Sequence, residues 1–342
     1  MAAPNSGTKK ITLALQGGGS HGAFTWGVLE TLLADERLEI EGISGTSAGA
    51  MNATVTAEGL MRDGPQGALD ALERFWRRVA RAGRFAPMIR TPLDVAADRW
   101  NMEVQPGYLL FDLISRFLSP YQFNPLNFNP LLEILESEVD FELVRACDQV
   151  QLFISATNVA TGKIRVFCNA ELSPQAVMAS ACLPHVFQAV EIDGEPHWDG
   201  GYMGNPAIYP LIYNCKSRDV VIVQINPIER HGEPTTMPEI VDRLNEITFN
   251  STLMREMRAI HFVGKLLEHH EVDPSQYKQM LMHRVDVADE MRGLGAASKM
   301  NADWGFLCHL RELGRERGKA WLAAHYDDLN QRTSIDLEND YL

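Results

Sequence analysis

Residues 11 to 60 pass twice from a short apolar run to a run with helical spacing, and that alternation leaves few folds open to the chain. "ITLAL", Ile11 to Leu15, is β-branched and apolar and gives way to Gln16 and three glycines, so Ile11 to Gln16 reads as a buried strand. Gly22 to Ala34 then sets Phe24, Val28 and Leu32 four residues apart, one face of a helix. After an acidic turn, Leu38 to Ser44 reads as a second strand and Ala48 to Leu60 as a second helix. Strand, helix, strand and helix on connections this short predict parallel strands with right-handed crossovers and helices on the sheet faces. The expected fold class is α/β, a three-layer α/β/α sandwich with a mostly parallel central sheet.

The rest of the chain fits that frame. "VQLFISATNV", "KIRVFC", "HVFQAVEI" and "DVVIVQIN" are four further strand candidates. Leu69 to Val79 continues helically, with Leu72, Trp76 and Val79 on one face and Arg74, Arg77, Arg78 and Arg81 on another. Such an arginine stripe is a solvated helix face or a contact for headgroup phosphates. Arg84 to Pro130 is irregular, rich in proline and aromatic residues, and too apolar for a disordered linker. It is expected to be an elaboration packed on the sheet, with an acyl-chain groove or a cap near the site as alternatives. From Ile240 the pattern is helical, and Met300 to Tyr326 reads as a helix pair. With no internal repeat, residues 1–342 are expected to form one domain: a core over 11–226 and a helical C-terminal extension over 227–342.

Composition excludes several functions. A net charge of −14 lacks the basic footprint that phosphate neutralisation demands, which argues against nucleic acid as a partner. An anionic membrane would repel the protein as a whole, so transient contact with a lipid surface needs a local apolar or basic patch. The five cysteines are widely spaced, with no CxxC pair, and fit neither a disulfide framework nor a zinc ribbon. No HExxH or EF-hand pattern is present, so no metal or other cofactor is expected. The N-terminal residues give no signal-peptide or membrane-span pattern, and a cytoplasmic location is the expectation.

Two short stretches carry the chemistry. "GGGSHG", Gly17 to Gly22, lies between a strand and a helix and has three readings. It satisfies the dinucleotide fingerprint GxGxxG, with Glu39 or Glu41 near the ribose-binding distance. It also suits an oxyanion hole, where glycines let backbone N–H groups converge on developing charge. A tight turn needing positive φ is the third. The other stretch, Gly45-Thr46-Ser47-Ala48-Gly49, is a GxSxG element running from a strand end into a helix. That is the setting of a nucleophile elbow, in which small neighbours permit a strained turn that lifts the serine hydroxyl above the sheet. Parallel strands bring both turns to the same sheet edge, so the glycine loop and Ser47 should be neighbours. Farther on, "EIDGEPHWDGGYMGNP" carries Asp199 before two glycines, in what reads as a hairpin-like turn.

Taken in order, the GGGxxG, GxSxG and DGG motifs resemble those of the patatin-like acyl hydrolases, a family of lipid-cleaving serine hydrolases. The resemblance covers roughly Ile11 to Asn226 and includes "ASACLPHVFQAVEIDG" before Asp199. It implies that Ser47 is the nucleophile and Asp199 the base of a Ser-Asp dyad, with Gly17, Gly18 and Gly19 supplying oxyanion N–H groups. It implies a phospholipase A or lysophospholipase acting on a lipid or acyl-ester substrate through an acyl-enzyme. One position departs from the family pattern: His21 stands where the glycine loop commonly has arginine or lysine. A permanent charge is not expected there: the histidine is either half-charged near neutral pH or hydrogen-bonded within the loop, and the second is the favoured reading. Two other functions are weighed against this one: a non-catalytic lipid-binding or granule-coating protein on the same fold, and a dinucleotide-binding oxidoreductase. A hydrolase with a histidine triad fits less well, because its elbow follows several strands and this one follows the second.

Overall fold

Runs such as Val220 to Val223 have no polar face, because the sheet they belong to is covered on both sides. The computed structural model describes residues 7–83, 100, 117–291 and 294–342. Among the described residues, eight strands form one sheet: β1 Lys9–Leu15, β2 Leu38–Gly45, β3 Gln151–Asn158, β4 Ile164–Cys168, β5 Val190–Ile192, β6 Glu195–Asp199, β7 Asp219–Gln224 and β8 Leu281–Asp286. Hydrogen-bonded neighbours run β5-β6-β3-β2-β1-β7-β8, with β4 also paired to β3. The pairs β3/β2, β2/β1, β1/β7 and β7/β8 are parallel, while β4 and β6 run antiparallel to β3.

Alternate residues of each central strand enter different cores. Leu13, Leu15, Val221 and Val223 face one core, formed with α1 (Gly22–Leu33) and α2 (Ala48–Gly83), which is broken into two helical stretches by the non-helical backbone of Asp63 and Gly64. Ala14, Val220 and Ile222 face the other, which holds Leu253 and Met257. Of the helices used below, α3 is Pro174–Ser180, α4 Met237–Glu268 and α5 Trp304–His325, so Leu253 and Met257 belong to α4. Helices on two faces of a mostly parallel sheet give the three expected layers.

Three elements differ from the sequence reading. Of "HVFQAVEI", only Val190–Ile192 is strand, and it forms a hairpin with β6 around Asp193 and Gly194, both at positive φ. Asp199 is therefore at the end of β6 and not at the hairpin tip. The segment after Ile240 is not wholly helical, since Leu281–Asp286 forms edge strand β8 against β7. Its pattern was hidden because Leu281, Met282 and His283 are all buried, so no alternation of polar and apolar residues shows. Met300 to Tyr326 holds one long helix in place of a pair: α5 starts at Asp303, whose side chain accepts from the Phe306 N–H at 3.1 Å. Gly314 does not break it, because its missing Cβ makes room for the Phe24 carbonyl of α1, and Gly27 does the same for Arg311. Glu30 of α1, nearly buried, pairs with Arg311 and Arg315 across this contact.

Of the elaboration expected over Arg84 to Pro130, residues 84–99 and 101–116 lie outside the described residues. The described remainder exposes Phe117, Tyr121, Leu126 and Phe128. It is tied to the segment between α3 and β5: Gln188 Nε2 donates to the Asn124 carbonyl at 2.8 Å, and the Ala189 N–H donates to Tyr121 Oη at 3.2 Å. In the arginine stripe, Arg77 pairs with Glu73 at 2.6 Å and Arg78 with Glu138 at 2.9 Å.

Candidate active site

The elbow forms because its glycines remove collisions that any other residue would create. A Cβ on Gly45 would stand 2.6 Å from the Gly49 carbonyl, and one on Gly49 would run into the Leu15 carbonyl at the end of β1. Ser47 sits between them at φ +54°, a left-handed conformation that non-glycine residues rarely adopt. Its N–H donates to Ser180 Oγ of α3 at 2.9 Å. Helix α2 begins at the next residue, so its positive end lies beside the Ser47 hydroxyl.

The glycine loop packs directly on this turn. A Cβ on Gly17 would lie 2.7 Å from the Cβ of Ser47 and 2.9 Å from the Thr46 carbonyl. The sequence expectation that the two turns are neighbours is met at the level of van der Waals contact. The Gly17 N–H, however, already donates to Asn205 Oδ1 at 2.7 Å. Gly18 and Gly19 make no such N–H contact among the described residues, and Gly19 adopts φ +58°. Glu39 and Glu41 lie early in β2, away from the loop: Glu39 pairs with Lys10 at 2.5 Å, and Glu41 accepts the Lys216 and Ser217 N–H groups at 2.8 and 2.7 Å. Neither acidic side chain thus sits where the dinucleotide reading needs one.

Strand register brings Asp199 to the same place. On β3, Ile154 pairs with Gly45, the last residue of β2, while Ala156, two residues on, pairs with Asp199. A strand has two edges, and β4 occupies one of them along Phe153 to Thr157. Residues 151–154 therefore give their other edge to β2, and residues 156–158 give that same edge to β6. Asp199 falls just past the end of β2, where the chain turns into Ser47. The loop after Asp199 is held down by small residues: Gly200 lies against the Ser155 carbonyl and Gly201 against the Phe249 ring of α4. Thr46 Oγ1 donates to the Gly204 carbonyl at 2.6 Å, which ties the elbow to that loop.

Asp199 is 1% exposed, and its Oδ1 accepts the Gly201 N–H at 2.7 Å. Burial pushes its pKa up to about 7, against the opposing pull of the Gly201 N–H, the Ser47 hydroxyl and the Lys299 charge. A carboxyl poised near neutrality beside a serine in a strained turn is suited to proton transfer. His21 is buried, and burial followed by the Lys299 charge lowers its pKa to about 3. It is neutral in that setting, and its hydrogen-bond partner lies outside the loop, not within it as expected: Nε2 is 2.8 Å from Ser298 Oγ. His197 is buried with Nδ1 2.9 Å from the Glu195 carbonyl.

Sequence reading missed Asn205, Ser180, Asn226 and Lys299. Asn205 lies in "GNP", close after Asp199, and Ser180 in "ASACLPHVFQAVEIDG", so both had a usable signal; Asn226 and Lys299 carry none. Among the described residues, no cluster of three or more His, Cys, Asp or Glu side chains is arranged to hold a metal ion, and no helix is long and apolar enough to cross a membrane.

Comparison with known proteins bears on the whole core. The family model for patatin-like phospholipase matches residues 13–212. No curated protein matches the chain significantly in sequence. Among solved structures, VipD from Legionella pneumophila is similar at 16% identity and a TM-score of 0.45, covering 93% of this chain and 67% of that one. The type III effector ExoU is similar at 15% identity and a TM-score of 0.36, covering 94% of this chain and 54% of its own. ExoU in heterodimeric complex with SpcU, from Pseudomonas aeruginosa, is similar at 16% identity and a TM-score of 0.36, and the chain spans 52% of it.

Proposed function

Because the chain belongs to the patatin-like phospholipase family, at family level lipid-ester hydrolases, we propose that it cleaves carboxylic esters of phospholipids or related acyl lipids with Ser47 as nucleophile and Asp199 as base. The observation that carries this reading is the register of β3, which sets Asp199 immediately past the strand that ends in the Ser47 turn. Asp199 Oδ1 is engaged by Gly201, which leaves Oδ2 to take the Ser47 proton as Oγ attacks the ester carbonyl. The carbonyl oxygen becomes an oxyanion, held by the N–H groups of Gly18 and Gly19. Gly17 has a structural part, its N–H being spent on Asn205. Collapse of the intermediate breaks the ester C–O bond, and the leaving alkoxide takes the proton back from Asp199. Water then attacks the acyl-enzyme and gives a proton to Asp199, and as that second intermediate collapses Asp199 returns the proton to the departing Ser47 Oγ, releasing the acid and free Ser47. Each oxyanion donor of this kind is worth a factor of about 100 to 1,000 in rate.

The substrate class draws support from the apolar side chains near the site. Leu183 follows Cys182, whose carbonyl accepts the Asp199 N–H at 2.8 Å, and both Leu183 and Met203 are partly exposed. Phe117, Tyr121, Leu126 and Phe128 are exposed on the segment tied to Gln188 and Ala189, and apolar side chains of this kind suit acyl chains or transient contact with a lipid surface. Headgroup and chain-length preference are read by comparing phospholipids, lysophospholipids, acylglycerols and short p-nitrophenyl esters, with the Ser47→Ala protein as blank. Fluorophosphonate labelling at Ser47 separates the enzyme from a lipid-binding protein of the same fold: an unlabelled, inactive wild-type protein would sink the proposal.

A further inference from the structure

The turn Ala296–Met300, deep in the C-terminal extension, grips the glycine loop at three points. Ser298 Oγ donates to the Gly295 carbonyl at 2.6 Å, so its hydrogen is spent and it accepts from His21 Nε2–H at 2.8 Å. The Lys299 carbonyl fills the space where a Cβ on Gly19 would stand. The Lys299 ammonium donates to Asn226 Oδ1 at 2.8 Å, and Asn226 Nδ2 donates onward to the Gly17 carbonyl at 2.7 Å. Three residues of the loop, Gly17, Gly19 and His21, are thus held by this turn or through it.

Charge follows the same route. His21 is neutral in its buried setting, so the loop has no cation of its own. Lys299 brings one, in a pocket where Glu246, Asp242 and Asp199 favour its charge, Arg230 opposes it, and burial lowers its pKa. Glu246 is already shared between Arg230 at 2.7 Å and Arg243 at 3.2 Å. Around Asp199 itself stand the Ser47 hydroxyl, the Gly201 N–H, Cys182 and Tyr202, of which Lys299 is the charged counterpart.

We propose that Lys299 is a positioning residue for the Ser47–Asp199 pair: through Asn226 it fixes the glycine loop beside Ser47, and its positive charge there favours the ionised form of Asp199 that accepts the serine proton. The inference rests on the dyad reading above. It makes the C-terminal extension part of the active site, because the core over 11–226 contains Asn226 but not the cation that Asn226 binds.

The test uses the full chain. Values of kcat/KM for a short p-nitrophenyl ester are measured from about pH 5 to pH 9 for wild type, Lys299→Met, Lys299→Gln and Lys299→Arg. Removing the charge should move the midpoint of the acid limb upward, and arginine should return it toward wild type. Lys299→Gln keeps a donor for Asn226 without the charge, so it separates loop placement from electrostatics and serves if Lys299→Met fails to fold. A further readout needs no turnover: the melting-temperature difference between the wild-type and Asp199→Asn proteins changes with pH as Asp199 titrates. Its midpoint should rise when Lys299→Gln is added to both. Unmoved midpoints in both measurements overturn the role of Lys299 while leaving the dyad intact. An Asp199→Asn protein with full turnover and labelling overturns the dyad reading instead.

Discussion

Two places in the sheet bring a serine and an aspartate together, and they are opposites. At the C-terminal edge, Ser47 and Asp199 meet with no histidine hydrogen-bonded between them among the described residues. Toward the other end, Asp219, the first residue of β7, accepts from His283 Nε2 at 3.0 Å, and His283 Nδ1 lies 2.9 Å from Ser334 Oγ. On residue types alone, the Ser334 cluster is closer to a triad. Its surroundings remove the resemblance. Ser334 is stitched to β8 by its own N–H at 3.1 Å from the Met282 carbonyl, and Asn330 N–H binds Asp219 Oδ1 at 3.0 Å. Among the described residues, Ser334 itself is not at positive φ, although Asn330 is, and no glycine lies against that serine. What distinguishes Ser47 is the backbone around it: positive φ, flanking glycines and another glycine turn in contact. The histidine line instead pins the C-terminal tail to the sheet.

The sharpest way to break the comparison is to remove each serine. Ser47→Ala should lower turnover by roughly a thousandfold or more with an unchanged fold, whereas Ser334→Ala should leave turnover within about twofold. Fluorophosphonate labelling that survives in the first variant and vanishes in the other would reverse the assignment of the two sites.

The aspartates come next. Asp199→Asn should cost nearly as much activity as Ser47→Ala, since the amide accepts no proton. Its stability should move the other way. The pKa of Asp199 is raised to about 7, so the folded protein keeps a proton that an unfolded aspartate releases near pH 4. Stability from this group is full below that pH and declines as pH rises through about 7. Asparagine never ionises, so the variant should melt above wild type at pH 8, with the gap closing by pH 4. Asp219→Asn should instead lower stability by about 3 kcal/mol in urea titration, because it breaks a buried pair. A stabilised Asp219→Asn protein would erase the contrast drawn between the two ends.

Wild-type kcat/KM should itself rise about tenfold per pH unit below about 7 and level off above, the signature of a base that must ionise. A flat profile from pH 5 to pH 9 would exclude Asp199 as that base.

The smallest effects concern the histidines near the site. His21→Gln and His197→Gln should each retain activity within about tenfold, because His21 donates to Ser298 and His197 is held at the Glu195 carbonyl. A thousandfold fall in kcat for His197→Gln, in a protein melting at the wild-type temperature, would bring a histidine base back into the mechanism.

Much of the candidate site was legible in the sequence because its requirements are local. Gly45 and Gly49 are small since each faces a carbonyl a few ångströms away, and GxSxG records that directly. The strands β1, β2, β3 and β7 were legible because each contains a short run of buried, mostly apolar or small residues, as in Leu13 to Leu15, Ile43 to Gly45, Leu152 to Ile154 and Val220 to Val223. β6 and β8 were not: "EPHWD" and "LMHRVD" mix polar and apolar residues whose burial depends on partners elsewhere in the chain. His283 is buried with a hydroxyl and a carboxylate at its two nitrogens, whereas His197 is buried with a carbonyl at Nδ1. Gly314 and Gly27 read as helix weakeners in isolation, yet they are the points where α5 and α1 touch.

The sequence by itself determined the turns: where the backbone must bend sharply, where it must be bare, and which serine the bend presents. Those are steric conditions among residues close along the chain, so residue identity encodes them. Only the tertiary structure decided the electrostatics. Asp199 is poised near neutrality because it is buried, Gly17 loses its N–H to Asn205, and the loop's cation comes from Lys299, which no motif marks. Such effects depend on burial and on charges brought together across many intervening residues, and no local pattern of residue types records either.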